Sequence, residues 1–168
     1  MHSFQPFPID MLEFNPFTKF GTDWALVTVG TKAQANPCTI GWGNVGTLWG
    51  KNITSVFLRD SRYTKELLDK HDFFSVTFFD QSHRDALQYC GSHSGRNENK
   101  IEQAHLTLNA RHNIPFIDEG NLVFLCAKLA HVRLTKEMFT APDIMHRWYQ
   151  DKDMHTMYVS EIIEVLAR

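Results

Sequence analysis

Three short stretches of this chain gather residues that could hold an anion and a planar ring. The segment DSRYT, residues 60–64, passes from an apolar strand pattern into a helical one, which would set Ser61, Arg62 and Thr64 at a helix start. Such a start offers unpaired backbone N–H groups and about half a positive charge, and here two hydroxyls and a guanidinium would add to it. That is the chemistry of a phosphate cradle, although Ser61 could equally be a plain helix cap and Arg62 a solvated side chain. Further on, GRNENK sets Arg96 and Lys100 four residues apart, on one face if Asn97 opens a helical turn. Both could reach one anion, or they could pair with Glu98 and Glu102 at the surface. In the third stretch, ANPCTIGWG, the glycine at Gly41 lets a planar ligand approach the backbone, and Trp42 offers a stacking face. Thr39 lies beside them, and Asn36 carries an amide that could read a ring edge. A hairpin with a core tryptophan is the plainer alternative.

Other chemistries lack their residues. The nine histidines form neither HExxH nor HxH, and His105 with His112 lack carboxylate partners, so no metal site is expected. GxSxG, GxGxxG and the phosphate-loop motif are all missing, which removes the usual support for hydrolase and nucleotide-triphosphate readings.

The elements that must position these residues read as mainly β. Apolar, β-branched runs at 24–29, 38–43, 53–59, 73–79, 121–135 and 155–166 predict six strands, the first two joined by the turn GTKAQANP. The run 53–59 is apolar on both faces, as in a strand covered on two sides. Short helices are predicted at 61–70 behind Ser61, at 82–91 between Ser82 and Gly91, and at 141–149 with Pro142 in the first turn. The first twenty residues carry prolines at 6, 8 and 16 that disfavour helix and predict packed irregular chain or an edge strand. Strands with short helices inserted between them suggest a closed or partly closed β-barrel with peripheral helices.

Composition bounds the rest. The 168 residues, 43% hydrophobic and 21% charged, with thirteen phenylalanines, describe a folded chain able to bury roughly 70% of its unfolded surface without staples. A single domain over 1–168 is expected, with 1–16 as an N-terminal arm. A formal charge of −2 with no Lys/Arg run argues against nucleic acid as a partner. The longest apolar stretch, LVFLCA at 122–127, is far short of the roughly 20 residues of a membrane span, and MHSFQPFPID does not read as a secretory signal. A cytoplasmic chain is expected. Its three cysteines, Cys38, Cys90 and Cys126, are an odd number without a CxxC, so they read as reduced, part-buried side chains.

Taken in order, CTIGWGNVGTLW, VFLRDSRYT, YCGSHSGR and DMHTMYVSEIIEV resemble the flavin reductase-like family, the FMN-binding split barrels that include flavoredoxin, over roughly residues 17–166. The resemblance implies a six-stranded split barrel of Greek-key type that forms a homodimer, with FMN in a groove near the subunit interface. It also implies NAD(P)H-linked flavin reduction or electron transfer through the flavin N5. By this resemblance Asn36, Cys38, Thr39, Gly41 and Trp42 fall on the ring-binding segment, Ser61, Arg62 and Thr64 on the phosphate-binding turn, and Arg96 with Lys100 on a further basic loop.

Two segments depart from the family pattern. Cys38 stands where Met is usual, and the usual Gly-Asp-His before the last strand reads Asp153-Met154-His155, with Ser160 in place of a following glycine. Only His155 is kept, as a residue that would orient a nicotinamide or tune the flavin, or serve as a hydrogen-bonded structural histidine. The resemblance therefore carries flavin binding further than NAD(P)H turnover. The reading is an FMN-dependent oxidoreductase of the NAD(P)H:flavin type, or a flavin electron carrier or sensor reduced by a protein partner.

Overall fold

The computed structural model describes residues 3–168, and the chain is mainly β, as its sequence patterns predict. Ten strands are described: β1 (Gln5–Phe7), β2 (Ala25–Gly30), β3 (Ala35–Ile40), β4 (Gly43–Leu48), β5 (Lys51–Arg59), β6 (Phe73–Phe78), β7 (Leu108–Arg111), β8 (Ile114–Ile117), β9 (Leu122–Arg133) and β10 (His155–Ala167). Five α-helices lie between them: α1 (Pro16–Gly21), α2 (Tyr63–Lys70), α3 (Arg84–Ser92), α4 (Lys100–Gln103) and α5 (Pro142–Trp148). Among the described residues, no helix is long and apolar enough to cross a membrane.

Seven strands form one antiparallel path in the order β3-β2-β6-β9-β10-β5-β4. β10 is long enough to take β5 along its first half and β1 along its end, where Gln5–Phe7 pair with 165–167. The two ends of the path, β3 and β4, are consecutive in the chain and separated only by Gly41 and Trp42. The sheet edges must therefore meet at that corner, and the sheet curls into a split barrel.

Alternation along the strands sorts their side chains. Val27, Val29, Val76, Phe78, Phe124 and Tyr158 share the barrel interior. On the opposite face of β2, Leu26 packs with Leu87 and Cys90 of α3 and Ile101 of α4. Val123 and Leu125 of β9 pack with Ile114 and Phe116 of the β7–β8 hairpin. Strands covered on both faces read as continuous apolar runs, which is why their periodicity is weak.

Several expectations are corrected in detail. The sequence suggests six strands, but β4 and the β7–β8 hairpin are additional: β4 and β7 are polar or half-buried and carry little hydrophobic pattern, and β8 is a buried run of only four residues that includes a proline. The run 38–43 is not one strand: β3 begins earlier, at Ala35, and the chain turns at Gly41–Trp42. Within the arm, β1 is the predicted edge strand, yet Pro16 opens α1 rather than opposing helix. A proline in the first turn forfeits no intrahelical bond, and the Asn15 side chain caps the start by accepting the Phe17 N–H at 3.1 Å. That helix and the residues before it bring Phe14 and Phe20 against Phe78, with ring centroids 5.1 and 5.3 Å apart. Ser61 does not cap α2, whose N-cap is Arg62 with no side-chain cap bond. Ser82 follows Asp80, whose carboxylate is the cap there. Gly91 lies inside α3 rather than ending it; a Cβ there would come within 3.2 Å of the Thr39 Cβ, so the missing side chain serves close packing on β3.

Candidate functional site

At the β3–β4 corner the chain lacks room for regular pairing, and Trp42 is turned out of the barrel, 38% exposed. Beside it lies a cavity of about 180 Å³ whose walls include Cys38, Gly41, Trp42, Arg59, Trp148 and His155. β3 supplies the first of these, the end of β5 supplies Arg59, α5 supplies Trp148, and the first residue of β10 is His155. The Trp42 ring meets Trp148 edge-on at 5.1 Å and lies 4.9 Å from the His155 ring.

His155 is 7% exposed, with Nδ1 2.9 Å from the Tyr149 hydroxyl. Burial, helped by the nearby Arg59 charge, lowers its pKa to about 4, against the opposing pull of Asp153 and Asp60. The imidazole is therefore neutral at pH 7. Arg59 is the hub of this corner: it donates to both Asp151 carboxylate oxygens, to the Asp153 carbonyl and to the Trp148 carbonyl. It thereby ties α5 and the turn before β10 to the end of β5.

A second cavity, of about 130 Å³, adjoins the first, and Cys38 and Arg62 line both. Its other walls include Ser61, Thr64, Gly95, Arg96 and Lys100. Lys100, the first residue of α4, is 3% exposed. Its ammonium donates to the Cys90 carbonyl at 2.9 Å and has no carboxylate ion-pair partner among the described residues. Burial lowers its pKa, joined by the nearby Arg62 charge and opposed by Cys38, Cys90 and the Glu98 carboxylate. Arg62 spends one N–H on the Gly91 carbonyl, at 2.7 Å. Thr64 is buried and its Oγ1 accepts from the Asn36 Nδ2 at 2.7 Å, so its own hydroxyl proton remains free to be donated. Three donors thus converge where the first turn of α2 leaves backbone N–H groups without intrahelical partners.

The sequence-derived candidates divide into two groups. Arg62, Thr64 and Lys100 face the smaller cavity; Cys38, Gly41, Trp42 and His155 face the larger, and Cys38 and Arg62 join them. The rest bond the protein itself, although Ser61 and Arg96 also line the smaller cavity. Ser61 donates its N–H and its hydroxyl to the two oxygens of Asp153, at 3.0 and 2.6 Å. Arg96 bonds the Ser61 carbonyl at 3.0 Å and pairs with Glu66. Arg96 and Lys100 do not share a helical face, because α4 begins only at Lys100 behind the Asn99 cap. Thr39 lines the larger cavity, but its hydroxyl donates to the Leu87 carbonyl. Asn36 turns its amide to Thr64 instead of toward a ring edge, and Gly95 packs on it so closely that a Cβ there would lie 1.8 Å from Oδ1.

The sequence reading passes over Arg59, Trp148, Tyr149 and Asp153. Arg59 and Asp153 lie within VFLRDSRYT and DMHTMYVSEIIEV but carry no role there, Trp148 and Tyr149 belong to no motif, and Arg59 comes from the end of β5 while the other three come from α5 and the chain between it and β10. Gly95 does carry a local signal, since it lies inside YCGSHSGR. Among the described residues no group of His, Cys, Asp and Glu could hold a metal ion.

Residues 17–168 match the model of the family described as flavin reductase like domain. Similar solved structures include flavoredoxin from Methanosarcina acetivorans, 22% identical, covering 87% of this chain and 68% of that one, with a TM-score of 0.68. An FMN-binding protein from Thermus thermophilus with bound p-hydroxybenzaldehyde is 22% identical over 100% of this chain and 82% of that one, with a TM-score of 0.67. An NADH:FAD oxidoreductase from Streptomyces globisporus is 15% identical over 90% and 79%, with a TM-score of 0.68. At these identities the likeness is one of fold. No curated protein matches the sequence.

The buried imidazole has a consequence for stability. Between pH 6.5 and about 4 the unfolded chain binds a proton at His155 that the folded chain refuses, so stability falls as pH falls through that window. The expected contribution is on the order of 2–3 kcal/mol, read from urea midpoints at several pH values and missing in His155→Gln. An unchanged pH slope in that variant would assign the effect to other groups.

Proposed function

Since the chain belongs to the flavin reductase-like family, we propose that its two adjoining cavities hold FMN, ring in the larger and phosphate in the smaller, and that the protein works as a flavin-dependent oxidoreductase. The observation that carries this reading is Lys100, a buried ammonium with a single carbonyl partner, 2.9 Å away, on a cavity that Arg62 and Thr64 also line. A phosphate monoester carries about −1.5 to −2 charges at neutral pH and supplies the compensating charge such a group lacks.

When bound, the flavin would supply an atom, N5, that takes up hydride or electrons. The chain's own part is binding and orientation. Lys100, Arg62 and the Thr64 hydroxyl would anchor the phosphate; Asn36 and Gly95 hold Thr64 and the 92–96 loop in place. Trp42 offers a flat apolar face, and Arg59 and Arg62 raise the local potential, favouring a ring that gains negative charge. His155, neutral, lends a ring nitrogen to the larger cavity.

A second reading, an electron carrier reduced by a protein partner, is favoured by the Asp153-Met154-His155 segment. Asp153 is bound to Ser61, and Trp148 stands against Trp42, which narrows the space beside the ring for a nicotinamide. We further propose a homodimer: Phe17 is 86% exposed beside a groove of about 560 Å³ that reaches Trp42, Val45, Phe57 and Leu134, and a second copy would cover it. A cytoplasmic setting, where thiols stay reduced, suits the three free cysteines.

Three measurements test these statements. Apoprotein should bind FMN and turn yellow; Arg62→Ala with Thr64→Ala should weaken FMN at least tenfold and leave riboflavin nearly unaffected, whereas equal losses would refute the phosphate assignment. Anaerobic mixing with NADH or NADPH should bleach the flavin within seconds if the protein is a reductase, and bleaching only by dithionite or a partner reductase would select the carrier. Light scattering at micromolar concentration should give twice the chain mass, and a monomer would remove the dimer.

A further inference from the structure

We propose that Tyr149 is a positioning residue that holds the His155 imidazole in one tautomer, with its proton on Nε2, so that the larger cavity presents a fixed hydrogen-bond donor and favours ligands that bring an acceptor atom to it. That the ligand is a flavin rests on the reading above; the tautomer does not.

A phenol has one proton to donate, and the Tyr149 hydroxyl has a single partner among the described residues, His155 Nδ1 at 2.9 Å, with both residues buried. Were Nδ1 protonated, it would donate to the phenol oxygen, and the phenol proton would be left buried without an acceptor. With the phenol donating, both groups are satisfied and the imidazole proton moves to Nε2. No described residue bonds Nε2, and His155 is on the cavity wall beside Cys38, Gly41 and Trp42.

The charged groups around the ring leave it neutral. Arg59 and Arg62 disfavour an imidazolium, and Asp60 and Asp153 favour it, but Arg59 is itself paired with Asp151 and burial dominates. Tyr149 is held from several sides: its N–H donates to the Met145 carbonyl at the end of α5, Phe139 lies 5.5 Å from its ring, and the Arg59 guanidinium lies 5.9 Å from its centroid. The phenol therefore has little freedom to reorient, and neither has the imidazole bonded to it.

Long-range proton–nitrogen correlation spectra of histidine-labelled apoprotein test the tautomer directly, with the His155 signals identified by their loss in His155→Gln. The expected result is a single Nε2–H tautomer from pH 5.5 to 8 in the native chain and a mixture of both tautomers in Tyr149→Phe. An Nδ1–H ring in the native chain, or an unaltered tautomer in Tyr149→Phe, overturns the proposal. Should Tyr149→Phe fail to fold, the native spectrum alone decides. With FMN as the probe, His155→Leu should lose about tenfold in affinity and His155→Gln, whose amide can donate from a similar place, should recover most of it; equal losses overturn the donor role. A chain with the Nε2–H tautomer that binds no FMN keeps the inference about Tyr149 and loses the flavin reading instead.

Discussion

Two residues, Gly41 and Trp42, must connect the opposite ends of a seven-strand sheet. From Ile40 to Gly43 the chain can reach no more than about 11 Å, so the last turn of the barrel is fixed by covalent length rather than by ladder hydrogen bonds. The corner cannot pair regularly on both sides, and it is there that a tryptophan face and glycine backbone are left available. The larger cavity is a consequence of closing the sheet with so short a link, and the segments that pack around it, from α5 to the start of β10, complete a wall that the barrel cannot supply.

The two cavities are kept in register by bonds that do not themselves face them. Asp153 binds the backbone and hydroxyl of Ser61, and Arg59 binds Asp151, the Asp153 carbonyl and the Trp148 carbonyl. On the other side, Asn36 of β3 bonds Thr64 of α2 and leaves room only for a glycine at position 95. The Asn36 amide is buried and satisfies two elements at once, so it resists reorientation, because each alternative leaves a polar atom unpaired in a low-dielectric region; Asp153 is half-buried and holds by the number of its bonds. The cations that face outward from this frame, Lys100 and Arg62, are thereby held in place before any anion arrives, which lowers the ordering cost of binding one.

Much of the fold was legible in the chain itself. The runs at 24–29, 53–59, 73–79, 121–135 and 155–166 are strands because their β-branched and aromatic residues suit a pleated surface buried on one or both faces. The strands without a legible pattern are β4 and β7, polar or half-buried and held by their partners, and β8, apolar but only four residues long with a proline among them. Pro16 misled because the same ring that breaks a helix interior is well placed in its first turn.

For the site, residue types along the chain set which kinds of group are available: hydroxyls, guanidinium groups and an ammonium near 61–64 and 96–100, and a glycine–tryptophan corner at 41–42. Residue type and local spacing carry that information, since they set charge, donor count and the position of a helix start. Only the folded chain settles which of their polar groups stay free to meet a ligand. Ser61, Thr39 and Asn36 look equivalent to Thr64 in the sequence, yet their polar groups are consumed by Asp153, Leu87 and Thr64, partners 28 to 92 residues away. Hydrogen bonds of that separation leave no periodic trace, so the division between groups that hold the frame and groups that meet a ligand exists only once the chain has closed.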